Sequence, residues 1–225
     1  MENVMKLSNE TVEILKNFSA INPSVMIRKG DTIRTITAKK NVLACAKVKE
    51  TFPQDFGIYD ITHFLNVISC ADSNIGNVTL DFDGDLVHFR SGKTKNYYRA
   101  AAPAGITQPP AKDIDISSPD ATLTLPSTVM VQIMRAAGIL PAPNVVLWGK
   151  DGVSYFSAYN VLDETSLRQD TEIGTCDKDF IAVFDTDNFK MLPRDYNVKV
   201  TSGVAYFEST TGDVQYWVAC STPKK

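Results

Sequence analysis

The sequence lacks several things, and each absence excludes a class of function. Its four cysteines, Cys45, Cys70, Cys176 and Cys220, form no Cys-x-x-Cys pair. Zinc-ribbon and thioredoxin-type readings therefore fail, and the thiols read as inert groups of a reducing cytoplasm. Histidine occurs twice, as His63 and His88, with no Cys or Asp at ligand or triad-like spacing. No apolar run approaches the roughly 20 residues of a membrane span. The opening MENVMKLSNE has no apolar core of a signal peptide. A basic excess is missing as well: 23 Lys+Arg stand against 26 Asp+Glu, a formal charge of -3. Proteins that coat nucleic acid non-specifically carry such an excess. Any nucleic-acid role must then rest on a local patch or on topology.

Near-miss motifs fail in detail. Asp81, Asp83 and Asp85 alternate around Gly84, but an EF-hand loop would need Gly after the third acid and Glu at its twelfth position. Leu86 and Gly92 stand there instead, and the alternation suits a solvated hairpin. Ser91-Gly92-Lys93-Thr94 imitates the end of a phosphate loop, yet Val87 occupies the place of the earlier glycine. No Gly-x-Ser-x-Gly is present. The expectation is a non-enzyme with no metal and no cofactor. A hydrolase with a site dispersed along the chain is a distant alternative.

What is present is ordinary globular material. The 225 residues are 44% hydrophobic and 22% charged, enough for one large domain or two of roughly 110 residues. Ser8–Ile21 places Val12, Ile14, Leu15, Phe18 and Ile21 on one helical stripe behind a Ser8 cap, with Asn9, Glu13 and Lys16 opposite. Ser127–Ile139 does the same after Pro126. Two weaker helices are expected after Asp60 (ITHFLNVIS) and after Asp185 (TDNFKML, stopped by Pro193). Between them lie alternating β-type runs such as NVTLDFDGDLVHFR, NVVLWGKDGVSYFSAY and YNVKVTSGVAYFES. Asp83-Gly84, Asp151-Gly152 and Ser202-Gly203 supply turns within these runs.

The chain also repeats itself. With Ser8 set on Ser127, Val12 meets Val131, Ile14 meets Ile133 and Lys16 meets Arg135. With Asp60 set on Asp185, Ile58-Tyr59-Asp60 meets Val183-Phe184-Asp185, and Phe64 meets Phe189. The expected division is a first domain over 1–101, a proline-rich connector over 102–122 and a second domain over 123–225. Charge separates the halves. Residues 1–110 hold 13 basic and 11 acidic groups; the remaining 10 basic and 15 acidic complete the totals of 23 and 26. Duplicated β-rich domains, each showing a helix with an outward cation, admit a ring with helices inside and cations facing a central hole. A solvated helix face is the plainer alternative.

At this point the residues themselves are recognisable. Met5-Lys-Leu-Ser, Leu15-Lys-Asn-Phe-Ser-Ala-Ile-Asn22, Ile58-Tyr-Asp-Ile-Thr-His-Phe-Leu65, Phe189-Lys-Met191 and Tyr216-Trp-Val-Ala219 form an ordered series. The series closely resembles the DNA polymerase sliding clamp of T-even-type tailed phages, from Met5 to about Ala219. The resemblance implies an α+β fold of duplicated processivity-clamp domains, with β-sheets outside and helices lining a ring. It implies a homotrimer around duplex DNA, a processivity factor for the phage DNA polymerase, loaded by a clamp loader ATPase in the cytoplasm of the infected bacterial host, with no membrane role. Family members often carry a further lysine near Asn9, and Glu13 sits beside Lys16, so the inner face is expected to be less positive than usual. The family chain begins at about Met5, so residues 1–4 read either as an extension or as the product of an upstream start.

The expected DNA-facing residues are Lys16, Arg135 and Lys190, with Lys6 and Arg194 nearby. By the same resemblance, partners insert apolar peptides under the connector, where Ile106, Tyr216 and Val218 are the candidates; plain core residues are the alternative. Charge order suggests the subunit interface. Lys93–Ala101 carries Lys93, Lys95 and Arg99 and no acid. Asp163–Ile173 carries Asp163, Glu164, Asp170 and Glu172 against Arg168. Two edges of opposite charge could pair between copies. A β-rich virion or baseplate protein is the runner-up; it would not need cations at matched helix positions.

Overall fold

A serine hydroxyl and a distant carboxylate start the first helix. The computed structural model describes residues 3–112 and 114–222. In it Ser8 caps helix α1 (Asn9–Ile21), its Oγ accepting from the Thr11 amide at 3.2 Å. Glu50, far along the chain, completes the cap. It accepts the Ser8 amide and, at 2.5 Å, the Thr11 hydroxyl. Burial opposes its charge, but these bonds outweigh burial and hold its carboxyl below the usual range. The expected stripe is the buried one: Val12, Ile14, Leu15, Phe18 and Ile21 all face the core.

The chain divides into two compact units, residues 1–111 and 112–225. The first unit begins with β1 (Val4–Lys6), α1, β2 (Val25–Ile27), β3 (Gly30–Ile36), β4 (Val42–Phe52) and β5 (Phe56–Ile58). Helix α2 (Ile61–Ser69), capped by Asp60, precedes β6 (Thr79–Asp83), β7 (Leu86–Ser91) and β8 (Thr94–Arg99). One sheet runs β1-β6-β7-β8. Lys29-Gly30-Asp31 does not join a hairpin, since β2 pairs with β5 and β3 with β4.

The second unit holds β9 (Ala121–Leu125), α3 (Ser127–Ile139), β10 (Asn144–Lys150), β11 (Val153–Tyr159), β12 (Gln169–Thr175) and β13 (Phe180–Asp185). Then come β14 (Tyr196–Val200), β15 (Val204–Ser209) and β16 (Val214–Ala219). Its ladders run β9-β14-β15-β16 and β12-β11-β10-β13. The β9 set repeats β1-β6-β7-β8 strand for strand, and β13-β10 repeats β5-β2, so the duplication is visible in topology. The turn between β10 and β11 is Asp151-Gly152, both at positive φ (52° and 83°), the two-residue geometry that matches strand twist. The N-terminus of α3 departs from the sequence expectation. Ser127 is already helical and Pro126 is the N-cap residue, which has no side-chain acceptor to offer; Asp195, distant in the chain, accepts the Ser127 amide at 2.7 Å instead.

The helix expected after Asp185 does not form. Only a single 3-10 turn, Thr186–Asn188, stands there, followed by irregular chain to Pro193. The reason is readable against α2. Its apolar positions Ile61, Phe64, Leu65 and Ile68 are all buried. Under the Asp60-on-Asp185 alignment, their counterparts are Thr186, Phe189, Lys190 and Pro193. One apolar anchor out of four survives, and a two-turn segment cannot nucleate on that. The surviving anchor keeps its job. Phe64 packs on Phe89 with ring centroids 5.5 Å apart, and Phe189 packs on Phe207 at 5.5 Å. Phe156 and Phe184 complete the second cluster.

Two buried tyrosines hold the irregular segment. The Tyr196 hydroxyl donates to the Leu192 carbonyl at 2.6 Å, and the Tyr216 hydroxyl accepts from the Leu192 amide. Burial pushes both phenols well above their ordinary range. Replacing Tyr196 by Phe leaves a buried carbonyl without this partner. We expect a loss of about 1–3 kcal/mol, read as a lower urea midpoint at unchanged m-value. An unchanged midpoint would show that the tyrosine pair does not hold this segment.

Candidate nucleic-acid interface

The outward faces of α1 and α3 match residue for residue. The exposed residues Asn9, Glu13, Lys16 and Ala20 of α1 meet Thr128, Gln132, Arg135 and Ile139 of α3, all also exposed, when Ser8 is set on Ser127. Each face thus carries one cation at the same place, and neither Lys16 nor Arg135 has an ion pair among the described residues. The third helix, α2, shows Thr62, His63, Asn66 and Ser69 outward and no Lys or Arg. Sparse cations without an ion pair, with Glu13 the one acid on these matched faces, suit phosphate contact without base reading.

The other three expected DNA-facing residues fall elsewhere. Lys190 is exposed, but on the irregular segment rather than on a helix. Lys6 lies on β1, in register with Thr79, Arg90 and Lys95 across the sheet β1-β6-β7-β8. It belongs to a sheet face and not to a helix face. Arg194 is half-buried and ion-paired with Asp213, so its charge is already matched.

The partner-binding candidates also need correcting. Ile106, Tyr216 and Val218 are all buried core residues (6%, 0% and 0% exposed), which leaves them no surface for a peptide. Ile106 is wedged against Gly57, where a Cβ would stand 2.9 Å from its Cδ1. Strand alternation turns Trp217 and Tyr206 to the opposite face, 5.0 Å apart between ring centroids. The chain at 114–116 lies against them, and Trp217 Nε1 donates to the Ile114 carbonyl at 3.1 Å. These residues line a cavity of about 400 Å³ with Lys199 and Gln215. The period-2 pattern of TyrTrpVal could have named Trp217; it did not say which face was the core.

Of the expected interface segments, β8 and β12 each end a four-stranded sheet. Their charges thin out on inspection. Arg99 bonds Asp85 at 2.6 Å, and Lys93 sits in the β7–β8 turn. Asp163 and Glu164 lie in the loop before β12, where Asp163 accepts from the Thr165 amide and hydroxyl. Asp170 is held by Arg168. Lys95 on β8 and Glu172 on β12 remain exposed on their edges without an ion pair among the described residues. Apolar side chains stand beside them: Tyr97 near the first edge, and Leu162 (93% exposed) and Leu167 near the second.

Comparison with known proteins now bears on this arrangement. Residues 7–105, within the first unit, match the DNA polymerase processivity factor family. The chain is 25% identical over 213 residues to the sliding clamp of Enterobacteria phage T4, covering 91% of this chain and 92% of that one. To the sliding clamp of Escherichia phage RB69 it is 26% identical over 224 residues, covering 96% of each. Among solved structures, the A. fulgidus PCNA bound to the C-terminal region of FEN-1 superposes with a TM-score of 0.73 at 13% identity, covering 100% and 99% of the two chains. That last likeness speaks to the fold alone, an α+β clamp fold.

The Arg194–Asp213 pair yields a pH prediction. Burial acts against the Asp213 charge, but the Ser209 and Thr211 hydroxyls and the Arg194 guanidinium outweigh it and bring its pKa down to about 2. A carboxyl depressed in the folded state stabilises above its unfolded value and loses that contribution as pH falls through the folded one. The stability difference between the wild-type chain and Asp213→Asn should therefore shrink between about pH 4 and pH 2. Urea unfolding at both pH values checks it; a difference that stays constant would contradict the assignment.

Proposed function

From the premise that the chain is a DNA polymerase sliding clamp of the kind T-even-type phages encode, we propose that three copies close head to tail into a ring around duplex DNA. The ring tethers the phage polymerase and is placed on DNA by an ATP-driven clamp loader in the cytoplasm of the infected bacterium. It carries out no chemistry of its own. The observation that carries this reading is the repeated cation, Lys16 in one unit and Arg135 in the other, on matched helix faces.

The physics of sliding favours that economy. A slider needs similar free energy at every base step, so base-specific bidentate contacts would arrest it. Scattered cations centre the duplex through its phosphates, and salt screens each contact. Retention comes from encirclement. Lys16, Arg135 and Lys190 are the cations assigned to the hole; Lys6 and Arg194 are not. Ring closure is heterologous and joins two different edges of each chain. The exposed edges β8 and β12 fit that need, with Lys95 opposite Glu172 and Tyr97 opposite Leu162 and Leu167. An exposed ion pair contributes only about 0.2–1 kcal/mol, so backbone pairing and apolar contact would carry the junction.

Partner tails are assigned to the cavity beside residues 114–116, where Lys199, Tyr206 and Gln215 offer the accessible surface and Trp217, itself buried, forms the floor. The A. fulgidus relative, solved with a partner's C-terminal region bound, supports a tail-peptide site of this kind.

The test of the main reading is topological. Loaded onto nicked circular DNA at physiological salt, the chain should remain bound, and linearising the DNA should release it. Native mass spectrometry should give three times the chain mass. Retention on linear DNA, or one large open assembly, would overturn the ring and favour the virion reading. Lys16→Ala combined with Arg135→Ala should lower processive synthesis several-fold with the trimer intact; unchanged synthesis would remove the helix faces from the DNA.

Tyr206→Asp tests the partner site. We expect at least about a tenfold weaker affinity for the polymerase tail peptide by calorimetry, the equivalent of ~1.4 kcal/mol. Undiminished affinity in the folded variant would move the site elsewhere.

A further inference from the structure

Edge strand β12 begins at a closed network that neither DNA contact nor partner binding uses. The Arg168 guanidinium lies over the Tyr159 ring at 4.2 Å from its centroid and over the Trp148 ring at 5.1 Å. Its Nε donates to both oxygens of Asp170, at 2.7 and 2.9 Å. Asp170 also accepts from the Ser157 hydroxyl at 2.5 Å. Ser157 in turn accepts from Trp148 Nε1 at 2.7 Å. The circuit runs from Trp148 through Ser157 and Asp170 to Arg168 and back onto the Trp148 face. Tyr155 stacks under the same indole, with centroids 4.4 Å apart and planes 17° from parallel.

The place of this circuit matters more than its size. Trp148 sits on β10, Ser157 and Tyr159 on β11, and Asp170 on β12, so it ties the outermost strand to the two behind it. Arg168 itself ends the β11–β12 loop. That loop is knotted by its own side chains. Asn160 accepts from the Leu162 amide at 3.0 Å, Asp163 from the Thr165 amide at 2.9 Å, and Ser166 from the Asn160 amide at 2.9 Å. A small rigid loop thus pushes Leu162 and Leu167 into solvent beside an unpaired strand edge. Apolar groups held rigidly in the open are pre-organised for a partner, because little ordering entropy is then lost on contact. Without Arg168 the loop would keep its knots but lose its anchor to the sheet.

We propose that Arg168 is a positioning residue for ring closure: it fixes the β12 edge and the leucine-bearing loop in the geometry that the next copy of this chain meets. Its charge already has a partner on its own chain: the guanidinium lies over two rings and its Nε is bonded to Asp170, so its part in the junction is to hold the edge rather than to pair across it. The proposal rests on the reading that β12 is a ring-closing edge. Lysine cannot replace arginine here, because an ammonium has neither the flat faces nor the in-plane fork.

The experiment compares full-length Arg168→Ala and Arg168→Lys with two variants that strike the edge directly, Glu172→Lys and Leu162→Asp. Sedimentation equilibrium gives the trimer dissociation constant, and amide hydrogen exchange below that concentration reports on the free chain. We expect both Arg168 variants to weaken the trimer at least about tenfold, the scale of a lost cation–π contact with a charge-assisted bond. Exchange should rise over residues 160–175 and stay unchanged in β10 and β13. A merely structural arginine would raise exchange throughout the second unit, and that outcome overturns the proposal. An unchanged trimer in the Arg168 variants, with weakening in Glu172→Lys or Leu162→Asp, also overturns it while the β12 edge stands. An unchanged trimer in all four variants removes the β12 edge and the proposal with it.

Discussion

Two phenylalanines close the two cores, and the remainder of each unit is arranged around them. Phe64 and Phe189 each meet a strand phenylalanine, Phe89 and Phe207, at the same centroid separation of 5.5 Å. Edge-on aromatic packing of this kind is sensitive to position as well as to area. The same contact is made whether or not a helix carries the ring. In the first unit α2 carries the ring; in the second, a short irregular segment carries it, held at Leu192 by Tyr196 and Tyr216. Duplication here preserved a packing contact more faithfully than secondary structure.

That difference changes what the two units can present. The first offers two helix faces and the second only one, with Lys190 exposed on the segment that replaces the other. Cations are few on all of these surfaces, and Glu13 sits one turn from Lys16. The proposed ring would not need more, because its hold on DNA would be topological and its electrostatics would only centre the duplex. In such a ring the acidic balance of the whole chain, -3, would work in the same direction by discouraging DNA from binding outside.

The edges show how tertiary structure edits a charge argument. Counting along the sequence gives three cations against a net three negative charges. In the folded chain, Arg99 is matched by Asp85, and Asp170 by Arg168. Lys93, Asp163 and Glu164 lie in the adjoining turn and loop, so the strands themselves keep one complementary pair, Lys95 and Glu172, with apolar neighbours, which is closer to a strand junction with a polar rim than to an electrostatic lock.

The sequence by itself determined the two strong helices, the hairpins, the repeat and the resemblance to phage sliding clamps. All of these depend on residues close together in the chain: a cap and a 3.6-residue stripe for α1, Asp-Gly turns between alternating runs, and an ordered series of short matches. Contacts between residues far apart in the chain were decided only by tertiary structure. Glu50 as the partner of the α1 cap and Asp195 as the acceptor of the first α3 amide left no local sign. The helix after Asp185 failed because three of its four anchoring positions, Thr186, Lys190 and Pro193, could not bury, and only the packing of α2 shows which positions those are. Alternation placed Tyr216 and Val218 opposite Trp217, but which side was core depended on the sheet's surroundings. A strand pattern fixes which residues share a face, and only the packed fold says which face meets water.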